Sequence, residues 1–238
     1  MSPTLHKALV PLTVMLIDLQ ATPPAVIATH RAGLGASGVS LNKQGNLVLV
    51  ANRNEATVSV FTVEGKVLTP AGKVKLGDEK SCPSHVIFTP DGKSALVTRD
   101  GDNTLSMLGI EGAKVEACKR DFAAGLRPYG ADISPDGRTL AVVIHNGSGK
   151  AKESPFYNPQ GQLLLCRVEG LKPHRITQAP LGRWSQGIAF SRHGTTILVQ
   201  NMLEQDIRAF RFDGAALTDT GLRIKLSGGG AALRKAKY

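Results

Sequence analysis

The 238-residue sequence lacks the features that define several large classes of protein. No apolar run reaches the roughly 18–20 residues of a membrane span. Aromatic residues make up only 5% of the chain and no base-stacking motif accompanies them, so nucleic acid is not an expected partner. The three cysteines are widely spaced and form no CxxC pair, which excludes a disulfide framework and a cysteine-based zinc site.

The motifs of common catalytic sites are also missing. The six histidines form no HExxH or HxxxH pair, and no GxSxG nucleophile elbow occurs. Gly228–Gly230 is not followed by Lys-Ser or Lys-Thr, as a P-loop would be. The GxGxxG match at Gly33–Gly38 leads into a predicted strand instead of a helix, so it does not indicate dinucleotide binding. We therefore expect no metal and no cofactor.

The composition that remains is that of a basic globular protein rich in turns. Hydrophobic residues make up 42% of the chain and charged residues 20%, which is enough for a sizeable core. Glycine (26) and proline (13) are slightly more frequent than average. Lysine and arginine (29) exceed aspartate and glutamate (19), giving a net charge of +10. Such a charge attracts anionic ligands over long range.

Four copies of a repeat are marked by two turns each. The first turns are Asn42–Gly45, Thr89–Gly92, Ser134–Gly137 and Ser191–Gly194. The second turns are Val63–Gly65, Ile110–Gly112, Val168–Gly170 and Phe212–Gly214. The two final glycines are 20 residues apart in three repeats and 33 apart in the third, which therefore carries a 13-residue insertion. Pro-Asp-Gly, present in two first turns, is a strong turn signal.

Short apolar runs lie between these turns. Hydrophobic residues alternate with small or polar ones, as at Val86 and Phe88 before a first turn and at Leu105 and Met107 before a second. This period of two predicts half-buried antiparallel strands. Four such strands in a unit of about 45 residues are typical of a propeller blade, and no comparable run has helical spacing.

The two ends of the chain supply one further blade. Ala8–Val10, Val14–Leu19 and Ala25–Thr29 match second, third and fourth strands, and Gly228–Leu233 stands where a first strand begins. We predict a single all-β propeller domain over residues 1–238, with about five blades of four antiparallel strands. Its repeats are 33–81, 82–126, 127–182 and 183–227. One split blade, 8–32 plus 228–238, is closed by the N- and C-terminal strands, which removes exposed sheet edges.

These repeats resemble a known family. Ser134–Gly137, Leu49–Asn52 and Thr57–Val60 are similar to the YVTN-type repeats of bacterial lactonase-like β-propellers, and the resemblance covers residues 8–238. Members usually have seven blades, so the chain resembles a version that lacks about two. The resemblance implies that first strands line a central channel. It also implies that the blade crossings and the second-to-third-strand loops share one rim.

The segments that enter the channel differ between repeats and carry the candidate site. They are Gly35–Gly38, Cys82–His85, Arg127–Gly130 and Trp184–Gly187, and neighbouring loops add Asp100 and His145. The predicted ligand-binding residues are Arg53, His85, Arg99, Arg127, Tyr129, Asn146, Trp184, Gln186 and Asn201. Arginine binds carboxylates and phosphates in bidentate fashion, so the site suits a small anionic or sugar-like ligand. Alternatively, the aromatic rings plug the channel, the histidines are structural, and the arginines pair with neighbouring acids.

The insertion of the third repeat lies on the same rim. It occupies residues 144–161 and contains Phe156 and Tyr157 between prolines. A long loop at this place is expected to act as a lid, to bind a partner, or simply to be a mobile surface segment.

Three functional hypotheses remain open, and the absence of a convincing catalytic motif favours the first. The first is a propeller that binds a ligand or a protein partner at the channel rim without catalysis. The second, implied by the resemblance, is a lactone hydrolase acting on an anionic sugar lactone, as a 6-phosphogluconolactonase does. Its catalytic candidates are His85, Arg127, His145 and Arg99, with Glu204 as a further base. The third is a shortened fragment that folds poorly.

The sequence says less about the oligomeric state and the cellular compartment. We expect a monomer with no membrane association. His6 and Lys7 precede the apolar run Ala8–Ile17, which superficially resembles a signal peptide, but Pro11 and Asp18 interrupt the run and favour strands. The expected compartment is the cytoplasm, or the periplasm or exterior if the first 20–25 residues act as a signal.

Overall fold

The computed structural model describes residues 11–234, which form nineteen β-strands and no helix. Accordingly, this part of the chain contains no helix that is long and apolar enough to span a membrane. The strands form four antiparallel sheets of blade type and one two-stranded hairpin. The predicted all-β class and the four-stranded antiparallel blades are confirmed, and the hairpin is a fifth layer.

The strand bounds follow the turn pattern of the sequence. The hairpin contains β1 (Pro11–Asp18) and β2 (Ala25–Leu34). Blade I contains β3 (Ala36–Leu41), β4 (Leu47–Asn52), β5 (Thr57–Glu64) and β6 (Val67–Lys75). Blade II contains β7 (Pro83–Phe88), β8 (Ser94–Arg99), β9 (Thr104–Glu111) and an outer strand in two pieces, β10 (Lys114–Ala117) and β11 (Phe122–Ala123). Blade III contains β12 (Pro128–Ile133), β13 (Thr139–Ile144), β14 (Gln162–Glu169) and β15 (Lys172–Pro180). Blade IV contains β16 (Ser185–Phe190), β17 (Thr196–Asn201), β18 (Asp206–Phe212) and β19 (Leu217–Lys225).

The first turn of each repeat folds through its own side chains. In blade II, the Thr89 hydroxyl donates to Asp91 (2.6 Å) and accepts from the backbone N–H of Ser94 (3.1 Å). In blade III, Ser134 makes the same bonds with Asp136 (2.5 Å) and Thr139 (2.9 Å). These bonds satisfy backbone groups that no strand partner reaches, which is why Ser/Thr-Pro-Asp-Gly specifies this turn.

The blades are stacked through apolar layers formed by alternate strand residues. One layer between blades I and II contains Leu49 and Val97, and one between blades III and IV contains Leu165 and Phe210. The hairpin packs on the other face of blade I, where its Ala32 joins Phe61. Because the side chains of successive strand residues point to opposite faces of the sheet, each central blade has two buried faces.

The first strands of neighbouring blades approach one another closely, and glycine permits this contact. A Cβ atom added to Gly130 would collide with the carbonyl oxygen of Gln186. A Cβ at Gly38 would lie 2.7 Å from the carbonyl oxygen of Ser84. At the equivalent position of blade II the chain has His85 instead, so its imidazole extends from the wall formed by these strands.

The predicted closure by terminal strands is not tested by residues 11–234 and stays a prediction. The hairpin sheet contains only β1 and β2, and residues 226–234 form no strand. The expected partner segments, 8–10 and 235–238, lie outside the described residues. The described tail instead lies along β16: a Cβ at Gly187 would be 2.5 Å from the backbone nitrogen of Leu233.

Candidate functional site

The rim of the channel is defined by one backbone feature that recurs in every blade. The residue before each first strand has a positive φ: Gly35 (66°), Cys82 (48°), Arg127 (61°) and Trp184 (49°). For a residue with a Cβ this left-handed conformation costs about 1–2 kcal/mol. Three non-glycine residues retain it because the crossing from the preceding blade requires a sharp change of direction there.

A buried carboxylate joins three blades at this rim. Asp100, in the loop after β8, accepts hydrogen bonds on Oδ2 from Arg53 Nη2 (3.0 Å) and from Arg127 Nη2 (3.2 Å). The Asp100 side chain is only 2% exposed, whereas those of Arg53 and Arg127 are 27% and 40% exposed. Within residues 11–234, Asp100 Oδ1 has no hydrogen-bond partner. Two arginines from different blades are thus fixed side by side and remain accessible from solvent.

Two aromatic rings stand beside this ion cluster. Tyr129 in β12 and His145 after β13 are stacked with ring centroids 4.9 Å apart and an interplanar angle of 22°. Burial lowers the pKa of His145 to about 4; a backbone hydrogen bond with Ser185 opposes this shift, and the charge of Arg127 adds to it. The imidazole is therefore neutral at pH 7. Its buried Nε2 has no partner among the described residues.

The pKa of His145 predicts a specific pH dependence of stability. Its pKa of about 4 lies below the ordinary 6.5, so the unfolded chain binds the proton more readily. Its stabilising contribution is complete above pH 6.5 and is lost as the pH falls towards 4, by about 3 kcal/mol. Urea unfolding of the wild type and of His145→Phe, which keeps a stacked ring without titration, measures this difference. Equal losses in both proteins between pH 7 and pH 4 would contradict it.

His85 lies at a different part of the channel. Its Nε2 is 3.1 Å from Nη1 of Arg234 in the tail, and no described contact joins it to the ion cluster. Burial, together with the positive charge of Arg234, lowers the pKa of His85 to about 3. A neutral Nε2 accepts the hydrogen bond from Arg234. His85 is thus half-buried in the wall between blades and contacts the tail.

Trp184 and Gln186 connect the insertion and the tail to blade IV. The backbone N–H of Trp184 donates to Ser148 Oγ (3.0 Å), and the indole packs near Gly149 in the insertion. With its amide oriented to satisfy both atoms, Gln186 accepts from Trp184 Nε1 (3.2 Å) and donates to the carbonyl of Ala231 (3.3 Å). These two residues border the mouth. Phe156 is 68% exposed, so a role as a lid stays a prediction.

Asn201 lies inside a blade instead of at the mouth. Its Oδ1 accepts from the backbone N–H of Gly182 (3.1 Å) and from Ser185 Oγ (2.6 Å), and its Nδ2 donates to Asp206 (2.6 Å). Glu204 caps the same crossing by accepting from the backbone N–H of Arg183 (2.8 Å). Both side chains are occupied by the architecture of blade IV.

Arg99 has the equivalent role in blade II. It is 5% exposed and pairs with Asp102 and Asp121, and its Nη1 donates to Ser106 Oγ (3.0 Å). Asp121 reaches it from the interruption between β10 and β11. The guanidinium is therefore enclosed by its own blade and does not reach the rim.

The structure thus brings together Arg53, Arg127, Tyr129 and His145 and separates Arg99, Asn201 and His85 from them. Asn146, next to His145, donates from Nδ2 to the carbonyl of Gln160 in the insertion (3.3 Å). Asp100 is expected from the sequence at this rim and as a partner of the arginines, and it pairs with both Arg53 and Arg127. Arginines on adjacent loops of a shared rim favour such a counter-ion, and Asp100 provides it for two blades at once.

The described residues provide no group of histidine, cysteine or acidic side chains able to hold a metal. All three cysteines are free. Burial raises the pKa of Cys166 to about 12 and also raises that of Cys118. These two thiols are therefore unreactive at pH 7.

Comparison with known proteins identifies the fold. No family model matches the sequence, and no curated protein does. Among solved structures, a Bacteroides fragilis protein assigned as a 6-phosphogluconolactonase superposes with a TM-score of 0.76 at 16% identity, over 93% of this chain and 67% of that one. The periplasmic gluconolactonase of Pseudomonas aeruginosa gives 0.74 at 20% identity, over 93% and 66%.

A third match is the β-propeller domain of Cps50 (Swd1) from Myceliophteria thermophila, with a TM-score of 0.64 at 12% identity, over 90% of this chain and 65% of that one. The chain thus spans about two thirds of the length of each structure. Identities this low establish the fold alone. The protein is a β-propeller whose structural neighbours include lactonase-like propellers.

Proposed function

We propose that the protein binds a small anionic ligand of the sugar-acid type at the channel mouth. The observation that carries this proposal is the pair of arginines from blades I and III held by the single buried carboxylate of Asp100. With His145 neutral, the cluster has a net charge of +1 at pH 7. This excess positive charge favours the binding of a second anion.

The chemistry of the cluster fits a carboxylate ligand with hydroxyl groups. Arg53 and Arg127 each donate one N–H to Asp100, which leaves further donors of each guanidinium for a ligand. A carboxylate can be bound in bidentate fashion by such a group. The neutral Nε2 of His145 is suited to a ligand hydroxyl, and the half-buried Tyr129 provides a flat apolar wall. The net charge of +10 favours the approach of an anion.

A second candidate function is hydrolysis of the corresponding lactone. It is favoured by the unpartnered Nε2 of His145 beside two arginines, and by the names of the neighbouring structures. His145 would accept a proton from water as its oxygen attacks the lactone carbonyl, and Arg127 would stabilise the oxyanion. The ring C–O bond then breaks, and the leaving oxygen takes the proton from the imidazolium. A pKa of about 4 makes His145 a weak base, so we place binding first.

Calorimetric titration with gluconate and 6-phosphogluconate tests the binding proposal. Arg127→Ala removes a charged hydrogen bond worth about 1.5–3 kcal/mol, so we expect affinity to fall about 10- to 100-fold. Arg192→Ala is the matched control, because it removes the same charge from an exposed first turn outside the cluster. We expect its affinity to equal that of the wild type.

Two outcomes overturn these functions separately. If neither anion binds, or if both variants weaken binding equally, there is no specific site at the mouth. If the wild type opens 6-phosphogluconolactone no faster than buffer while gluconate still binds, the hydrolase candidate alone is wrong. Turnover that disappears in Arg127→Ala and persists in Arg192→Ala would support it.

A further inference from the structure

The insertion of blade III forms a second concave site, separate from the ion cluster. A groove of about 240 Å³ lies between the insertion and the outer strand β15. Its polar walls are five amide side chains, Asn146, Asn158, Gln160, Gln162 and Gln178, and Pro180 adds an apolar surface. The other three blades have no such insertion, so this groove has no counterpart in the repeat.

Most amide groups of this groove are free to bind a ligand. Asn146 uses only Nδ2, Asn158 uses only Oδ1, and Gln178 uses only Oε1, in bonds to the protein. The side chains of Gln160 and Gln162 make no hydrogen bond within residues 11–234. The groove thus presents four NH₂ donors and three carbonyl acceptors with no partner among the described residues.

The presence of both unpaired donors and unpaired acceptors indicates what kind of ligand the groove can bind. An anion requires donors and a cation requires acceptors, whereas a hydroxyl group both donates and accepts. No charged side chain lines the groove, although the chain has a net charge of +10. A volume of about 240 Å³ is compact and fits one ring better than an extended chain segment. Pro180 provides a face for ring C–H groups.

The groove is held in place before any ligand binds. Backbone hydrogen bonds hold one end of the groove. The Gly161 N–H donates to the carbonyl oxygen of Gly182 (3.0 Å). At the other end, Ser148 is joined to His145 and to Trp184. Such anchoring reduces the entropy that a ligand would otherwise lose by ordering the loop.

We propose that this amide-lined groove binds a neutral polyhydroxylated ring, either a free monosaccharide or the terminal unit of a glycan. The site is independent of the anion site, because none of its lining residues belongs to the Arg53–Asp100–Arg127 cluster. It is also formed on the outer side of blade III instead of on the first strands.

The test uses methyl glucoside, methyl mannoside and methyl galactoside as neutral probes, observed by ligand NMR at about 10 mM, since a Kd near 1 mM corresponds to only about −4 kcal/mol. We expect saturation transfer for at least one probe. Gln162→Leu and Gln178→Leu should each weaken it about tenfold, whereas Gln44→Leu, in an exposed turn of blade I, should not. Gln178 is exposed, so its substitution does not threaten folding.

Three results would overturn the proposal: no transfer to any neutral probe, equal transfer in all three variants, or transfer to a neutral blocked tripeptide without transfer to any glycoside. Arg127→Ala separates this site from the anion site. Its glycoside binding should equal that of the wild type, even where gluconate binding is lost.

Discussion

Gly130→Ala is expected to lower the free energy of unfolding by about 3 kcal/mol, at the upper end of the usual cost of overpacking. The new Cβ would collide with the backbone carbonyl of Gln186, which is part of the first strand of blade IV. A backbone atom cannot rotate away as a side chain does, so β12 and β16 must separate. Chemical denaturation followed by tryptophan fluorescence is a suitable measurement, because Trp184 immediately precedes β16.

Gly109→Ala is the matched control for this change. Gly109 also lies in a strand, but an added Cβ would meet no atom within 4 Å, and its φ is not positive. Its substitution should leave stability unchanged or raise it by about 0.4–1 kcal/mol through the lower entropy of the unfolded chain. Similar losses at both glycines would mean that the first strands do not approach one another as described.

Asn201→Ala is expected to cost about 3 kcal/mol of stability and to leave gluconate affinity unchanged. The substitution removes the partner of Gly182 N–H, Ser185 Oγ and Asp206 Oδ1 at a fully buried position. A buried polar group left without its partner costs about 1–3 kcal/mol. Thermal unfolding and calorimetric titration of the same variant separate stability from binding.

Asn54→Ala provides the comparison for this prediction. Asn54 is exposed in the corresponding region of blade I, and its side chain makes no hydrogen bond within residues 11–234. A change within about 0.5 kcal/mol is expected. A large loss of gluconate affinity in Asn201→Ala at temperatures where the variant is folded would instead place Asn201 in the ligand site.

The sequence was sufficient to predict the blades because each turn carries its own hydrogen bonds. Thr89 and Ser134 close their turns through residues two and five positions later, with no help from distant parts of the chain. Period-two alternation then assigns the strand faces. The tail was different: its path along β16 depends on contacts with Gly187 and Gln186, which no local pattern encodes.

The candidate site was predicted less completely than the blades. A shift of one position along the chain is enough to move a side chain from the interior of a blade to the rim. Arg99 and Asn201 end their strands and are buried within blades, whereas Asp100 and His145, just beyond a strand end, contribute to the rim cluster. To make this distinction, the last residue of each strand has to be predicted without an error of even one position. Sequence patterns rarely fix boundaries that closely.

The positive φ at the crossings has a consequence for altering specificity. Cys82, Arg127 and Trp184 show that side chains of very different size and polarity occupy one backbone geometry without changing the path of the chain. These positions can therefore be randomised as a combinatorial set while the scaffold stays constant. Asparagine and aspartate are the replacements that adopt this conformation most readily. β-Branched residues are the least tolerated, because their side chains clash with their own backbone in this conformation.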